Sequence, residues 1–180
     1  WYYILIMIKI FFKYFLLIFV LFYSNIAMSN NDIYFVDVNF LMNNSLAGKS
    51  IVIKLDQLTK SNQKKFQEIE IKLKEEENKV ISKKNILSEK EYLKEAQLFT
   101  QKVENYKLLR SKTINDITKK KNKAQKTLVD SLNQILAEYS KKNSISYIIS
   151  KKNILIGKTE LDLTNIIFEI LNSKTKNIDF

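Results

Sequence analysis

Residues 47–142 contain no proline and no cysteine, and no glycine after Gly48, while charge is spread almost evenly along them. Proline and glycine are the residues that end or kink helices, so only long helices tolerate this composition over such a length. One straight helix of that size would outgrow any compact body a 180-residue chain can build. The segment must therefore project outward, fold back on itself, or both.

Its apolar pattern decides between these. Ile51, Leu55, Leu58, Phe66, Ile69, Leu73 and Val80 recur at helical spacing, with Asn62 and Glu76 in the intervening places. The pattern fails at Lys83-Lys84-Asn85-Ile86-Leu87 and restarts after Ser88-Glu89-Lys90-Glu91, which has the form of a capping box. It then continues through Tyr92, Ala96, Phe99, Val103, Tyr106, Ile114, Ile117, Ala124, Leu128, Ile135 and Tyr139. Two long periodic helices with a short break predict an antiparallel hairpin over 47–142, its tip near 83–88. At 1.5 Å per residue such an arm is roughly 60 Å long.

The middle of the arm is thin. Residues 59–65 offer no large apolar side chain, and 110–127 offer only Ile114, Ile117 and Ala124. Each fully buried Ile or Leu contributes about 1.5–3 kcal/mol, so this stretch is expected to bend and open locally.

The flanks change period. Residues 33–38 read as a strand, 39–44 as a short helix, 146–150 and 154–157 as strands joined by a turn at 151–153. A last helix, capped by Asp162 or Thr164, carries Ile166, Ile167, Ile170 and Leu171. The expectation is an α+β chain: a small three-stranded body assembled from 30–46 and 143–180, with the hairpin hanging from it. So small a body favours oligomerisation.

Composition excludes more than it proposes. The formal charge is +11, but Arg110 is the only arginine, and such lysine bias also follows from an AT-rich source. The basicity predicts attraction to polyanions or acidic proteins, and the absence of any reading module argues against specific nucleic-acid binding. With no cysteine and no histidine, the commonest nucleophiles, bases and metal ligands are missing. Gly48-Lys49-Ser50 lacks the glycine a phosphate loop needs five residues earlier, where Asn43 stands. Neither enzyme activity nor a cofactor is expected. Glu75-Glu76-Glu77, among Lys72, Lys74 and Lys79, reads as a salt-bridged surface.

Residues 1–29 have the layout of a secretory signal peptide, and because Trp1 is not an initiator residue the expectation is either a fragment or an in-frame extension upstream of Met7. Met7 stands as initiator, Lys9 and Lys13 as basic region, 14–23 as apolar core, and Ala27-Met28-Ser29 as cleavage site. The alternative is a retained anchor over 1–23, which would make the chain a membrane-anchored coiled-coil tether. Against it, each lysine near the centre of a span costs roughly 2.5–3.5 kcal/mol, and the apolar core is short of the roughly 20 residues a crossing needs.

This order of elements resembles the Skp (OmpH) family of periplasmic chaperones. Val36-Asp37-Val38 is similar to the family's first strand end and Ala47-Gly48-Lys49 to the start of its long helix. Leu87-Ser88-Glu89 is similar to its tip, Tyr147-Ile148-Ile149 to its second strand, and Asp162-Leu163-Thr164 to the start of its last helix. Ile148 and Ser150 stand where the family usually carries aspartates. The resemblance implies a periplasmic homotrimer that holds unfolded outer-membrane proteins, without ATP, in a cavity between its arms. It implies a trimer body built through Ile33, Phe35, Val36, Val38, Ile148, Ile149, Leu155 and Ile156. Client or anionic-surface contact, including lipid or lipopolysaccharide, falls to Lys119, Lys120, Lys121, Lys123 and Lys126 and to Phe66, Phe99 and Tyr106. The same lysines also fit a plain solvated face, and the three aromatics also fit packing within the hairpin.

Overall fold

Strand β1 (Ile33–Val36) and strand β2 (Tyr147–Ser150) pair in parallel, Ile33 opposite Tyr147 and Val36 opposite Ser150. Nearly all of the chain between them is helix. The computed structural model describes residues 32–180, which fall in one compact unit; of the separate unit Trp1–Asn31 it describes Tyr3, Ile6, Met7 and 11–13, all helical. The apolar core and cleavage site read over 14–29 lie outside the described residues. Among the described residues no helix is long and apolar enough to cross a membrane.

Local chemistry sets each boundary. β1 stops at Val36 because Asp37 caps the next helix: its Oδ1 accepts from the Phe40 N–H at 2.9 Å and opens α1 (Val38–Asn44). Ser45 then ends α1 and caps α2 (Leu46–Ser82), its hydroxyl accepting from the Gly48 N–H at 3.1 Å. The side chain of Asn172 accepts the Leu46 N–H at 2.8 Å, so a second orphan donor at this helix start is satisfied from across the body. Gly48 is required by space. A Cβ there would lie 1.9 Å from the Met42 carbonyl oxygen, where α1 crosses the start of α2.

α2 has 37 residues and α3 (Glu89–Lys142) has 54, lengths of about 55 and 80 Å. A single 3₁₀ turn at Lys83–Asn85 joins them. The capping box at α3 is formed: the Ser88 hydroxyl accepts from the Glu91 N–H at 3.4 Å, and Glu91 Oε2 accepts from the Ser88 N–H at 3.2 Å. Because α3 is longer, its last turns pass beyond the start of α2 and pack against the body. There Leu128, Leu132 and Ile135 join Val36, Leu41, Ala47 and Ile51, with Ile167 and Leu171 of α4 (Thr164–Lys174) and Ile178 of the tail, in one core. The core therefore sits at the root of the arm.

The expected third strand over 154–157 does not form, and the sheet has two strands. Ile154-Leu155-Ile156 has the composition of a strand, but the chain must carry from β2 to the far side of β1. There Phe35 bridges Asp162, and its carbonyl accepts the Leu163 N–H at 2.9 Å. Gly157 lies against the Phe35 ring on this crossing, where a Cβ would stand 2.9 Å from Phe35 Cε1. Leu155 and Ile156 are left at 102% and 95% exposure.

Candidate functional site

The arm is the part of the molecule least explained by its own packing. At the root, Ala47, Ile51, Ala124, Leu128, Leu132 and Ile135 are fully buried. Beyond Ile51 on α2 and Ala124 on α3, toward the tip, no residue of the arm is fully buried. Leu55, Leu58, Phe66, Ile69, Leu73, Val80, Phe99, Val103 and Ile117 keep the spacing of the expected stripe but remain half-buried. Two helices in contact along one narrow stripe leave side chains of this size wet on their outer edges.

The stripe is also not continuous. A cleft of about 450 Å³ opens between the helices near the tip, lined by Val80, Leu98 and Phe99 with Glu76, Lys83, Glu95 and Lys102 at its edges. A second, of about 320 Å³, lies in the thin middle between Thr59, Asn62, Gln63 and Phe66 on one helix and Ile114 and Ile117 on the other. The second marks where the sequence lacks large apolar side chains on both strands of the hairpin.

At the wall of the second cleft Phe66 meets Tyr106 edge-on, ring centroids 6.0 Å apart. The Tyr106 hydroxyl donates to Glu70, which also pairs with Arg110 at 3.3 Å. Burial, then the hydrogen bond and charge of Glu70, push the Tyr106 phenol above its ordinary value, against the opposing effect of Arg110. At the tip, Glu91 is held below the usual carboxylate range by the Ser88 hydroxyl and backbone N–H, which outweigh its slight desolvation.

The expected site residues divide by position. Phe66, Phe99 and Tyr106 all lie in the seam and face across it or line its clefts. Lys119, Lys120, Lys121, Lys123 and Lys126 are all exposed on the root half of α3. Lys126 pairs with Asp130 at 2.8 Å, and the other four have no carboxylate partner among the described residues. Of the residues assigned to a trimer body, Val36 is buried in this chain's own core, Phe35 is buried on the other sheet face against Gly157, and Val38 and Ile148 are half-buried against the core. Ile33, Ile149, Leu155 and Ile156 are exposed, as is Tyr147, which the sequence reading left out. Parallel register puts Ile33 beside Tyr147 and Phe35 beside Ile149, so one sheet face carries Ile33, Tyr147 and Ile149 exposed around the buried Phe35.

Sequence reasoning missed the polar links across the seam. Their signal was present as Glu70, Glu76 and Glu95, each set one residue or four from a stripe position, opposite Arg110, Lys102 and Lys83. It also missed the apolar side chains off the stripe, among them Ile71, Ile81 and Leu108, all exposed.

Fold and arm together define a class: a small body closed by both chain ends that projects a long, incompletely packed helical hairpin. The family model for OmpH-like outer membrane proteins matches residues 32–171, and the chain belongs to that family. In fold it is similar to the crystal structure of a proposed outer membrane chaperone (OmpH-like) from Caulobacter crescentus, with a TM-score of 0.77 at 14% identity. The match covers 82% of this chain and 88% of that one. No curated protein matches.

Proposed function

We propose that this protein is a periplasmic holdase that binds unfolded outer-membrane proteins and prevents their aggregation without ATP. Family membership and the OmpH-like chaperone fold support the chaperone role. The observation that carries the binding mode is the arm itself. Its seam buries nothing fully beyond the root, so apolar and aromatic side chains are available along tens of ångströms at small cost in lost packing. Many weak apolar contacts from an adaptable surface suit a client with no fixed structure.

In the same reading three copies join through their bodies and enclose a cavity between the arms. The uncovered sheet face of Ile33, Tyr147 and Ile149, and the free Leu155 and Ile156, support a partner chain at the body. The unpaired lysines at 119–121 and 123 supply attraction for acidic client segments or anionic lipid surfaces. Export by a cleaved signal peptide belongs to the same proposal.

The test is suppression of aggregation of a denatured outer-membrane β-barrel protein diluted into buffer with and without the chain. Protection without nucleotide is the expected result, and equal turbidity in both samples would refute the holdase reading. Replacing Lys119, Lys120, Lys121 and Lys123 with glutamine should weaken client binding at low salt and leave it unchanged at high salt. Unchanged affinity at low salt would return these lysines to a plain solvated face.

A further inference from the structure

The two halves of the arm are held by different forces. Full apolar burial is confined to the root, at Ile51, Ala124, Leu128, Leu132 and Ile135. The ion pairs that cross the hairpin are confined to the distal half among the described residues: Glu70–Arg110 at 3.3 Å, Glu76–Lys102 at 2.7 Å and Lys83–Glu95 at 2.9 Å. Root-side pairs stay within one helix, as in Asp56–Lys60 and Lys126–Asp130, or reach the body and tail, as in Lys174–Glu138 and Lys54–Asp179. The distal pairs also sit where no apolar side chain is fully buried. Glu76–Lys102 and Lys83–Glu95 edge the tip cleft, with Val80 and Phe99 on its walls. Glu70, shared by Tyr106 and Arg110, stands with Arg110 in the wall of the middle cleft.

We propose that these three links form an electrostatic latch that holds the distal arm shut over its aromatic seam, and that releasing it bares Phe66, Phe99 and Tyr106 as one surface. The proposal rests on the holdase reading for its purpose, since it names how the client-binding seam is exposed. Each link is a solvent-exposed ion pair, so each is weak and screened by salt. That weakness is what a reversible latch needs. The root, closed by apolar burial, does not respond to salt and keeps the helices in register. A client segment that sets carboxylates beside aromatic side chains can take Arg110, Lys102 or Lys83 from its internal partner while its rings enter the cleft. One ion pair then replaces another, and opening costs little. The only arginine of the chain lies in this latch, where its planar fork suits a shared carboxylate better than an ammonium does.

The test is amide hydrogen exchange on the full chain without client, from about 0.05 to about 0.5 M NaCl, a range over which the screening length falls roughly threefold. Peptides within 70–83 and 95–110 should exchange faster at high salt, by roughly 1.5- to 5-fold per link lost, while peptides within 124–139 stay constant. Glu76→Lys and Lys102→Glu should each accelerate distal exchange at low salt, and the double swap should restore the slow rate. Distal exchange indifferent to salt, or a double swap no slower than the single variants, overturns the latch. The aggregation assay separates the two proposals. Variants that open the arm but leave client protection unchanged uphold the latch as a conformational device and remove the seam from the holdase reading.

Discussion

At the scale of single residues, the chain-end motifs are explained by contacts between them. The Asp37 N–H donates to Thr164 Oγ1 at 2.8 Å across 127 positions of sequence. Asp162 Oδ1 accepts from the Thr164 N–H at 2.9 Å and from its hydroxyl, and its other oxygen takes Lys151 at 2.6 Å. Leu163 occupies the cap position of α4 but has no acceptor, so Asp162 does the capping from one residue earlier. Burial raises the Asp162 carboxyl, and the bonds from Lys151 and Thr164 with the Lys151 charge outweigh it, leaving it below its ordinary value of 3.8. A carboxylate depressed in the fold stabilises it above the unfolded value and loses that contribution as pH falls through the native one. Asp162→Ala should therefore cost about 1 kcal/mol at neutral pH. In urea titrations its deficit should shrink between about pH 5 and pH 2; a deficit constant over that range would separate Asp162 from the acid sensitivity of the fold. Gly48 makes a second residue-scale prediction. A methyl group there has only the Met42 carbonyl to displace, and backbone does not rotate away as a side chain does. Gly48→Ala should destabilise by about 1–3 kcal/mol or more, read as a lowered denaturation midpoint, and a midpoint equal to wild type would show that α1 can shift.

Among elements, the hairpin and the two paired strands were legible and the third strand was not, for physical reasons that differ. The helices announce themselves locally: the absence of proline, the stripe spacing and the Ser88–Glu91 box are all read within a few residues, and α2 ends and α3 begins within a few residues of the expected tip. The strand expected at 154–157 has equally good local composition, but a strand is completed only by an edge, and Asp162 already occupies the far side of β1. Val36, which the family resemblance assigns to a trimer body, is buried in the chain's own core. The cross-seam ion pairs went unread because Glu70, Glu76 and Glu95 flank the stripe but their partners are set by hairpin register, which no local pattern fixes. The thin middle, read from missing Ile and Leu, reappears as a cleft and as the exposed Ile114. It should show in amide exchange: protection at 114–122 is expected to be lower than at 132–139, where Leu132 and Ile135 are buried. Equal protection in the two segments would mean that helix propensity alone, without packing, holds α3 closed. The tip allows a sharper check. Ser88→Ala removes the Glu91 N–H acceptor and should cost about 1 kcal/mol, seen as faster exchange confined to the first turns of α3, with the root unaffected.

At the scale of the whole molecule, the question is what the body does with apolar surface that stays uncovered among the described residues. Phe35, Val36 and Leu41 are satisfied internally, whereas Ile33, Tyr147, Ile149, Leu155 and Ile156 are not. Burying one such side chain contributes about 1.5–3 kcal/mol, and association costs on the order of 4–15 kcal/mol. Five of them per chain are thus enough to decide between a lone body and an assembly. The outer edge of β2 is also unpaired among the described residues, and an open edge beside bare apolar side chains is a template for another chain. The arrangement separates cleanly by mutation, because Leu155 and Ile156 touch none of the core that folds the chain. Light scattering on residues 30–180 is expected to give about three times the chain mass. Leu155→Asp with Ile156→Asp should reduce it to one, with the helical circular dichroism unchanged. Such a variant would keep its arms but lose the space between them, so its protection of an unfolded client should fall well below that of an equal mass of wild type. A variant that is monomeric and fully protective would place client binding on the single arm and remove the cavity from the mechanism. A wild-type chain that is itself monomeric would leave the uncovered sheet face without a partner chain and confine the resemblance to fold.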